Sequence, residues 1–182
     1  MKKEKIVQFV CFETPVTTDV FISQWELYND MVKVKQKVIL QQESENKCKY
    51  QFVSQHSYSP DETQFIFKKN RRSSHVLEVE MRVKEIGGYS PLQIECNRDS
   101  DDEESKILLF LNCFENELDD YRSLPDYTHL NIYQAYYESC TYTFILEYFV
   151  NDANTEQLFE MMKTKKLSGD IGVYKECLLQ EK

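Results

Sequence analysis

His56 has the side chain best suited to moving a proton, because an imidazole titrates near neutral pH and at the end of a strand-like run could act as a general base. A surface histidine is the commoner reading of such a residue, and His75 and His129 carry no stronger pattern. Trp25, the sole tryptophan, offers a flat apolar face that could line an aromatic pocket, although its place in an apolar stripe makes it a core residue first. The six cysteines, at 11, 48, 96, 113, 140 and 177, form no C-x-x-C pair and no metal-type spacing with the three histidines. They read as small buried hydrophobes in a reducing cytoplasm, and no metal site is expected. A Gly-rich phosphate loop, a G-x-S-x-G elbow and an H-E-x-x-H pair are all missing, so phosphoryl transfer, ordinary hydrolase chemistry and zinc catalysis have no motif behind them.

Composition narrows the partners. A formal net charge of -9 argues against a surface that neutralises nucleic-acid phosphates. The basic cluster Lys68-Lys69-Asn70-Arg71-Arg72 reads as a solvated helix end. No apolar window approaches the roughly 20 residues needed to cross a bilayer, and Gln8 and Glu13 interrupt the apolar run behind the basic first residues, so it is no signal peptide. The expectation is a soluble cytoplasmic protein with no nucleic-acid or membrane partner.

The elements that must position these side chains follow from pattern. Ile6 to Phe12 is a β-branched and aromatic run, a buried strand closed by Pro15. Phe21, Trp25, Tyr28 and Val32 then recur at helical spacing behind an N-cap at Thr17, Thr18 or Asp19. Residues 34–43 and 47–57 read as a hairpin across Ser44-Glu45-Asn46, with Cys48, Tyr50 and Phe52 on one face. Ser59-Pro60-Asp61-Glu62 starts a second helix reaching about Arg72, and 75–84 alternates as a fourth strand. Gly87-Gly88 and Pro91 read as a turn, 92–96 as a short extended piece, and the acidic stretch 97–105 as a linker.

The same order then repeats: a strand over 106–115, a shortened crossover over 117–126, a hairpin over 130–138 and 139–150, a helix capped by Asn154 or Thr155, and a strand over 171–179. Gly169 reads as the left-handed end of that helix. Two short matches accompany the repeat. Cys11-Phe12-Glu13 returns as Cys113-Phe114-Glu115, displaced by 102 positions, and Cys48-x-Tyr50-x-Phe52 returns as Cys140-x-Tyr142-x-Phe144, displaced by 92, with Gln42 and Gln134 each six positions before the cysteine.

A β-α-β-β-α-β unit with an aromatic first helix, written twice, resembles the dimeric α/β barrel of the antibiotic biosynthesis monooxygenase superfamily. The resemblance implies an α+β fold of tandem ferredoxin-like units, 1–96 and 106–182, pairing within one chain as separate subunits would. That superfamily includes cofactor-independent quinone-forming monooxygenases and haem-degrading enzymes; the latter place an Asn on strand one and a Trp and a His on the second helix. Asn112 stands at that strand position in the second unit, where Val10 stands in the first. Met162 and Lys68 occupy or lie near the Trp position, and no His lies on the helix of Met162, so haem chemistry is not expected and no cofactor is assigned. The expected function is binding of an apolar or aromatic small molecule between sheet and helices, lined by Phe12, Tyr28, Phe114 and Met162. A cofactor-independent monooxygenase using Asn112, Trp25 and His56 is the enzymatic alternative, and a regulatory scaffold with a degenerate site is the third. The assembly is a monomer with an internal pseudo-dimer, or a homodimer.

Overall fold

The computed structural model describes residues 5–32, 37–43, 48–59, 82–94, 104–165 and 169–177. Eight strands close into a barrel: β1 (Ile6–Phe12), β2 (Lys37–Gln42), β3 (Phe52–Tyr58), β4 (Val83–Gln93), β5 (Glu104–Leu111), β6 (His129–Ala135), β7 (Phe144–Asn151) and β8 (Gly169–Glu176). α1 (Thr18–Val32) follows β1; a short 3-10 turn (Glu115–Leu118) and α2 (Asp119–Arg122) follow β5; α3 (Asp152–Thr164) follows β7. The order around the barrel is β1-β3-β2-β8-β5-β7-β6-β4, with every pair antiparallel. Each four-strand half therefore runs fourth, first, third, second, and the halves meet at the β2/β8 and β4/β6 seams.

This arrangement explains why β1 and β5 are unbroken apolar runs. Both lie at the middle of a half, one face under a helix layer and the other in the barrel interior, so neither face meets water. Three cores result. Val10, Phe12, Phe21, Trp25, Ile39 and Phe52 pack under α1. Ile107, Leu109, Leu146, Leu158 and Met162 belong to the layer beneath α2 and α3. Phe9, Leu40, Tyr50, Tyr89, Phe110, Tyr133, Tyr142 and Tyr174 fill the lumen.

Several expectations are corrected. Gly87 and Gly88 are not a turn; they lie inside β4, which begins near the end of the predicted fourth strand and absorbs Leu92. A Cβ at Gly87 would stand 2.6 Å from Cε2 of Tyr89, and one at Gly172 would stand 2.6 Å from Cε2 of Tyr174. Both glycines thus lie under the ring of a tyrosine two residues on, which supplies the missing side-chain cover within a curved strand. Gly169 is no helix cap: it opens β8, and α3 ends at Lys165 with extended backbone. The N-cap of α3 is Asn151, whose side chain accepts from the Ala153 amide, rather than Asn154 or Thr155. Cys48 and Tyr50 face the lumen while Phe52 faces α1, because the chain enters regular β3 only at Phe52 and strict alternation does not extend back through Cys48. The predicted second helix at 59–72 lies almost wholly outside the described residues.

Register separates the two sequence matches. Phe52 opposes Phe12 in the first half, and Phe144 opposes Leu111 in the second. Leu111, not Phe114, is therefore the counterpart of Phe12, and the Cys-Phe-Glu match is out of step: Cys11 faces the lumen while Cys113 packs toward the layer under α2 and α3. The Cys-x-Tyr-x-Phe match is in step with the strand pairing. Tyr50 and Tyr142, 92 positions apart, meet hydroxyl to hydroxyl at 2.7 Å, and Gln55 and Glu147, also 92 apart, meet at 3.0 Å. The seams repeat a bond as well: Glu43 N–H donates to the Val173 carbonyl at 3.1 Å, and Tyr136 N–H to the Gly88 carbonyl at 2.9 Å.

Candidate functional site

The two helix-facing layers carry different chemistry at matching places. In the second half Ile107, Leu109 and Leu111 oppose Tyr148, Leu146 and Phe144, an apolar set in which the one hydroxyl, that of Tyr148, donates to the Tyr121 carbonyl at 2.9 Å. In the first half Gln8, Val10 and Phe12 oppose His56, Ser54 and Phe52. Three polar residues, Gln8, Ser54 and His56, thus stand where the other half has Ile, Leu and Tyr, and all three are buried. Buried polar side chains cost stability unless partnered, so their presence in one layer only marks that layer as the chemically equipped one.

Trp25 belongs to the same layer. The helical stripe of α1 brings its indole, 1% exposed, parallel to the His56 imidazole with ring centroids 5.6 Å apart and planes 6° from parallel. Ser54 Oγ lies 3.2 Å from His56 Nε2. Phe21 stacks on Phe52 at 4.0 Å, and Phe12 meets Phe21 edge-on at 4.9 Å. The structure therefore brings together three of the residues singled out from sequence, Trp25, His56 and Phe12. An imidazole fixed by a hydroxyl and an indole in a water-poor layer can accept a proton from an acidic hydroxyl, and the aromatic rings around it suit a planar ligand.

The other sequence candidates do not join this group. Asn112 is exposed, and its Oδ1 accepts from the Thr143 amide at 3.0 Å, a structural clasp at the end of β5. Phe114 is 79% exposed beyond that strand end, with its amide donating to Glu117 Oε2 at 2.6 Å. Met162 is fully buried in the packed second-half layer. Tyr28 lies on α1, with its side chain outside the described set, as is His75.

Two features escaped sequence reading. In the lumen, Glu147 accepts from Gln55 Nε2 at 3.0 Å, Asn131 Nδ2 at 3.0 Å and the Tyr133 hydroxyl at 2.9 Å, and pairs with Lys106 at 3.2 Å. Burial pushes its pKa upward, but the Lys106 charge and the three hydrogen bonds outweigh that and hold the carboxyl below its ordinary value. A charge inside the apolar run Phe-Ile-Leu-Glu-Tyr-Phe-Val was the available signal. On the outside, an open groove of about 630 Å³ lies between α3 and the ends of β2 and β8, with Phe159 and Val173 among its apolar lining and Glu43, Asp152, Glu156, Glu160 and Lys175 among its polar lining.

The second half does not fit a haem. The group needs an axial ligand and space for a macrocycle between helix and sheet, yet α3 carries no histidine, and Tyr121 and Met162 are themselves packed with Leu118, Leu124 and Leu158 in the layer the macrocycle would occupy. His129 lies on the opposite face of β6, stacked on Phe149 at 3.5 Å. In the first half the described imidazole, His56, is engaged with Ser54 and Trp25.

No family model and no curated protein sequence matches the chain. Solved structures do resemble it. A mutant chlorite dismutase from Candidatus Nitrospira defluvii superposes with a TM-score of 0.56 at 6% identity, covering 96% of this chain and 93% of that one. Two further mutants of that enzyme give TM-scores of 0.54 at 6% identity, again over 96% of this chain and over 93% and 92% of theirs. At such identity the likeness is one of fold: an α+β chain closed into an eight-stranded antiparallel barrel.

Proposed function

We propose that this protein binds a small aromatic molecule in the first half of an internally paired α/β barrel, against Trp25 and His56, and that the second half serves as its scaffold. In this reading the expected units 1–96 and 106–182 are two ferredoxin-like units that pair about a pseudo-two-fold axis, the second reaching back to Glu104 because β5 already begins there, at the end of the acidic stretch 97–105. Contacts between residues 92 apart at Tyr50/Tyr142 and Gln55/Glu147 support it, since equivalent residues meet each other on such an axis. The repeated strand order and the twin Gly-x-Tyr strands support it too. The observation that carries the binding site is the replacement of an apolar layer by Gln8, Ser54 and His56 beside the sole tryptophan.

Trp25 makes its own reporter. Titration with phenols and hydroquinones is expected to change its fluorescence saturably, and the change is expected to vanish in a folded His56→Leu variant. An emission spectrum unmoved across such a panel would defeat the reading. The enzymatic alternative, cofactor-independent oxygenation with His56 taking the substrate proton, is favoured by the burial of that imidazole beside an aromatic wall. It requires oxygen uptake with a bound quinol that His56→Gln removes. The described thiols, Cys11, Cys48, Cys113, Cys140 and Cys177, fit a reducing compartment.

A further inference from the structure

The lumen end opposite Glu147 holds a directional chain of hydrogen bonds. Tyr142 donates its hydroxyl to Asp170 Oδ2 at 2.7 Å, and the same oxygen pairs with Lys49 Nζ at 3.0 Å. A phenol has one proton, so Tyr142 cannot also donate to Tyr50; Tyr50 must donate to Tyr142 across their 2.7 Å contact. The order is Tyr50 to Tyr142 to Asp170, running from a fully buried phenol to a carboxylate at the barrel mouth. Tyr174, whose hydroxyl donates to the Tyr50 carbonyl at 2.9 Å, and the ring of Phe110, 5.3 Å from those of Tyr50 and Tyr142, enclose the pair.

We infer that Tyr142, backed by Tyr50 and Asp170, is a redox-active tyrosine that gives up one electron to an outer-sphere one-electron oxidant. The electron leaves the Tyr142 phenol for the oxidant while its O–H proton crosses to Asp170 Oδ2. The products are a neutral tyrosyl radical, a neutral carboxylic acid and the reduced oxidant. Tyr50 keeps its proton and donates it as a hydrogen bond into the radical oxygen. Three observations select this tyrosine. Its proton has a base at hydrogen-bond distance, so the charge-separating cation radical is avoided. Lys49 Nζ stands 5.0 Å from the Tyr50 ring centroid and also hydrogen-bonds the Tyr142 hydroxyl, so its positive charge opposes a hole that keeps its proton on either ring, and of the two only Tyr142 has a carboxylate to take that proton. Burial, with Asp170 behind it, pushes Tyr142 up to about 12, so the phenol is protonated at neutral pH and releases its proton only as the electron goes.

Flash-quench oxidation of the full chain with photogenerated tris(bipyridyl)ruthenium(III) tests this, read by transient absorption and by electron paramagnetic resonance. The expected result is a long-lived tyrosyl radical, lost in Tyr142→Phe, retained in Tyr136→Phe on the exposed surface, and formed more slowly in deuterium oxide. Asp170→Asn is expected to abolish both the radical and the isotope effect, while far-ultraviolet circular dichroism and the melting midpoint verify that each variant is folded. A tyrosyl signal at full yield in folded Tyr142→Phe, an Asp170→Asn protein with unchanged yield and isotope effect, or a tryptophanyl spectrum from Trp25 in place of a tyrosyl one would overturn the assignment.

Discussion

Gln55 of β3 donates to Glu147 of β7 at 3.0 Å, joining the two halves across the lumen of the barrel. The bond is one of several that make a buried anion tolerable. Lys106, the counter-charge, is itself almost buried, at 11% side-chain exposure, and its other partner is the half-exposed Glu176 at 3.7 Å.

Removing Glu147 would strand that ammonium. Glu147→Leu is expected to destabilise by about 3 kcal/mol, since breaking one side of a buried pair leaves the other uncompensated, and urea denaturation measures it. The pH dependence has a definite sign. The folded pKa lies below the unfolded one, so the stabilisation is complete above the ordinary Glu value of roughly 4.3 and is lost as pH falls from there through the folded value. Wild type should therefore lose stability in acid more steeply than Glu147→Gln.

The unequal helix-facing layers yield a second expectation. Installing two of the second half's side chains in the first, as Gln8→Ile with Ser54→Leu, should close the proposed site and lower stability by about 2 kcal/mol, because Leu overfills the fully buried Ser54 position and takes the hydroxyl partner from His56. Thermal unfolding and the Trp25 fluorescence titration report the two effects separately. Unchanged ligand affinity in the folded variant would place the ligand elsewhere.

Gly87 tests the covering rings. The nearest atoms to a Cβ built there all belong to Tyr89, the closest at 2.6 Å. Gly87→Ala should cost about 2 kcal/mol by overpacking, and adding Tyr89→Leu should make the alanine nearly harmless; a double-mutant cycle in denaturant measures the coupling.

At the end of β5, Asn112→Ala should cost only about 0.5 kcal/mol and leave ligand binding unchanged, because the Thr143 amide that Asn112 accepts from also donates to the Leu111 carbonyl at 2.9 Å. Phe114→Ser, at a largely exposed position, should leave both chemical denaturation and ligand affinity where they are. Loss of binding in either variant would move the site to the second half.

The central strands, α1 and α3 were legible because long apolar runs and helical stripes are written in consecutive residues. Gly87-Gly88 misled, since two glycines normally break a chain, and the ring of Tyr89 over Gly87 with that of Tyr137 over Gly88 shows why they do not here. The Cys-Phe-Glu match suggested an alignment that strand pairing contradicts, whereas the Cys-x-Tyr-x-Phe match agreed with it. His56 and Trp25 were visible one at a time. Gln8 and Ser54 were not, because their meeting depends on which residue of β1 faces which residue of β3, and that register is set by pairing across a gap of more than forty residues. The Glu147 network was hidden for the same reason: Gln55 and Asn131 reach it from separate strands.

The eight described strands bond to one another all the way around, so the barrel presents no free strand edge. An edge is what a growing fibril or an invading peptide uses to extend a sheet. Among the described residues, the barrel offers neither a template for the first nor a berth for the second. A companion that docks on the described barrel would be recognised by side chains rather than by strand addition, and crowding alone should not recruit these eight strands into cross-β aggregates while the ring stays shut.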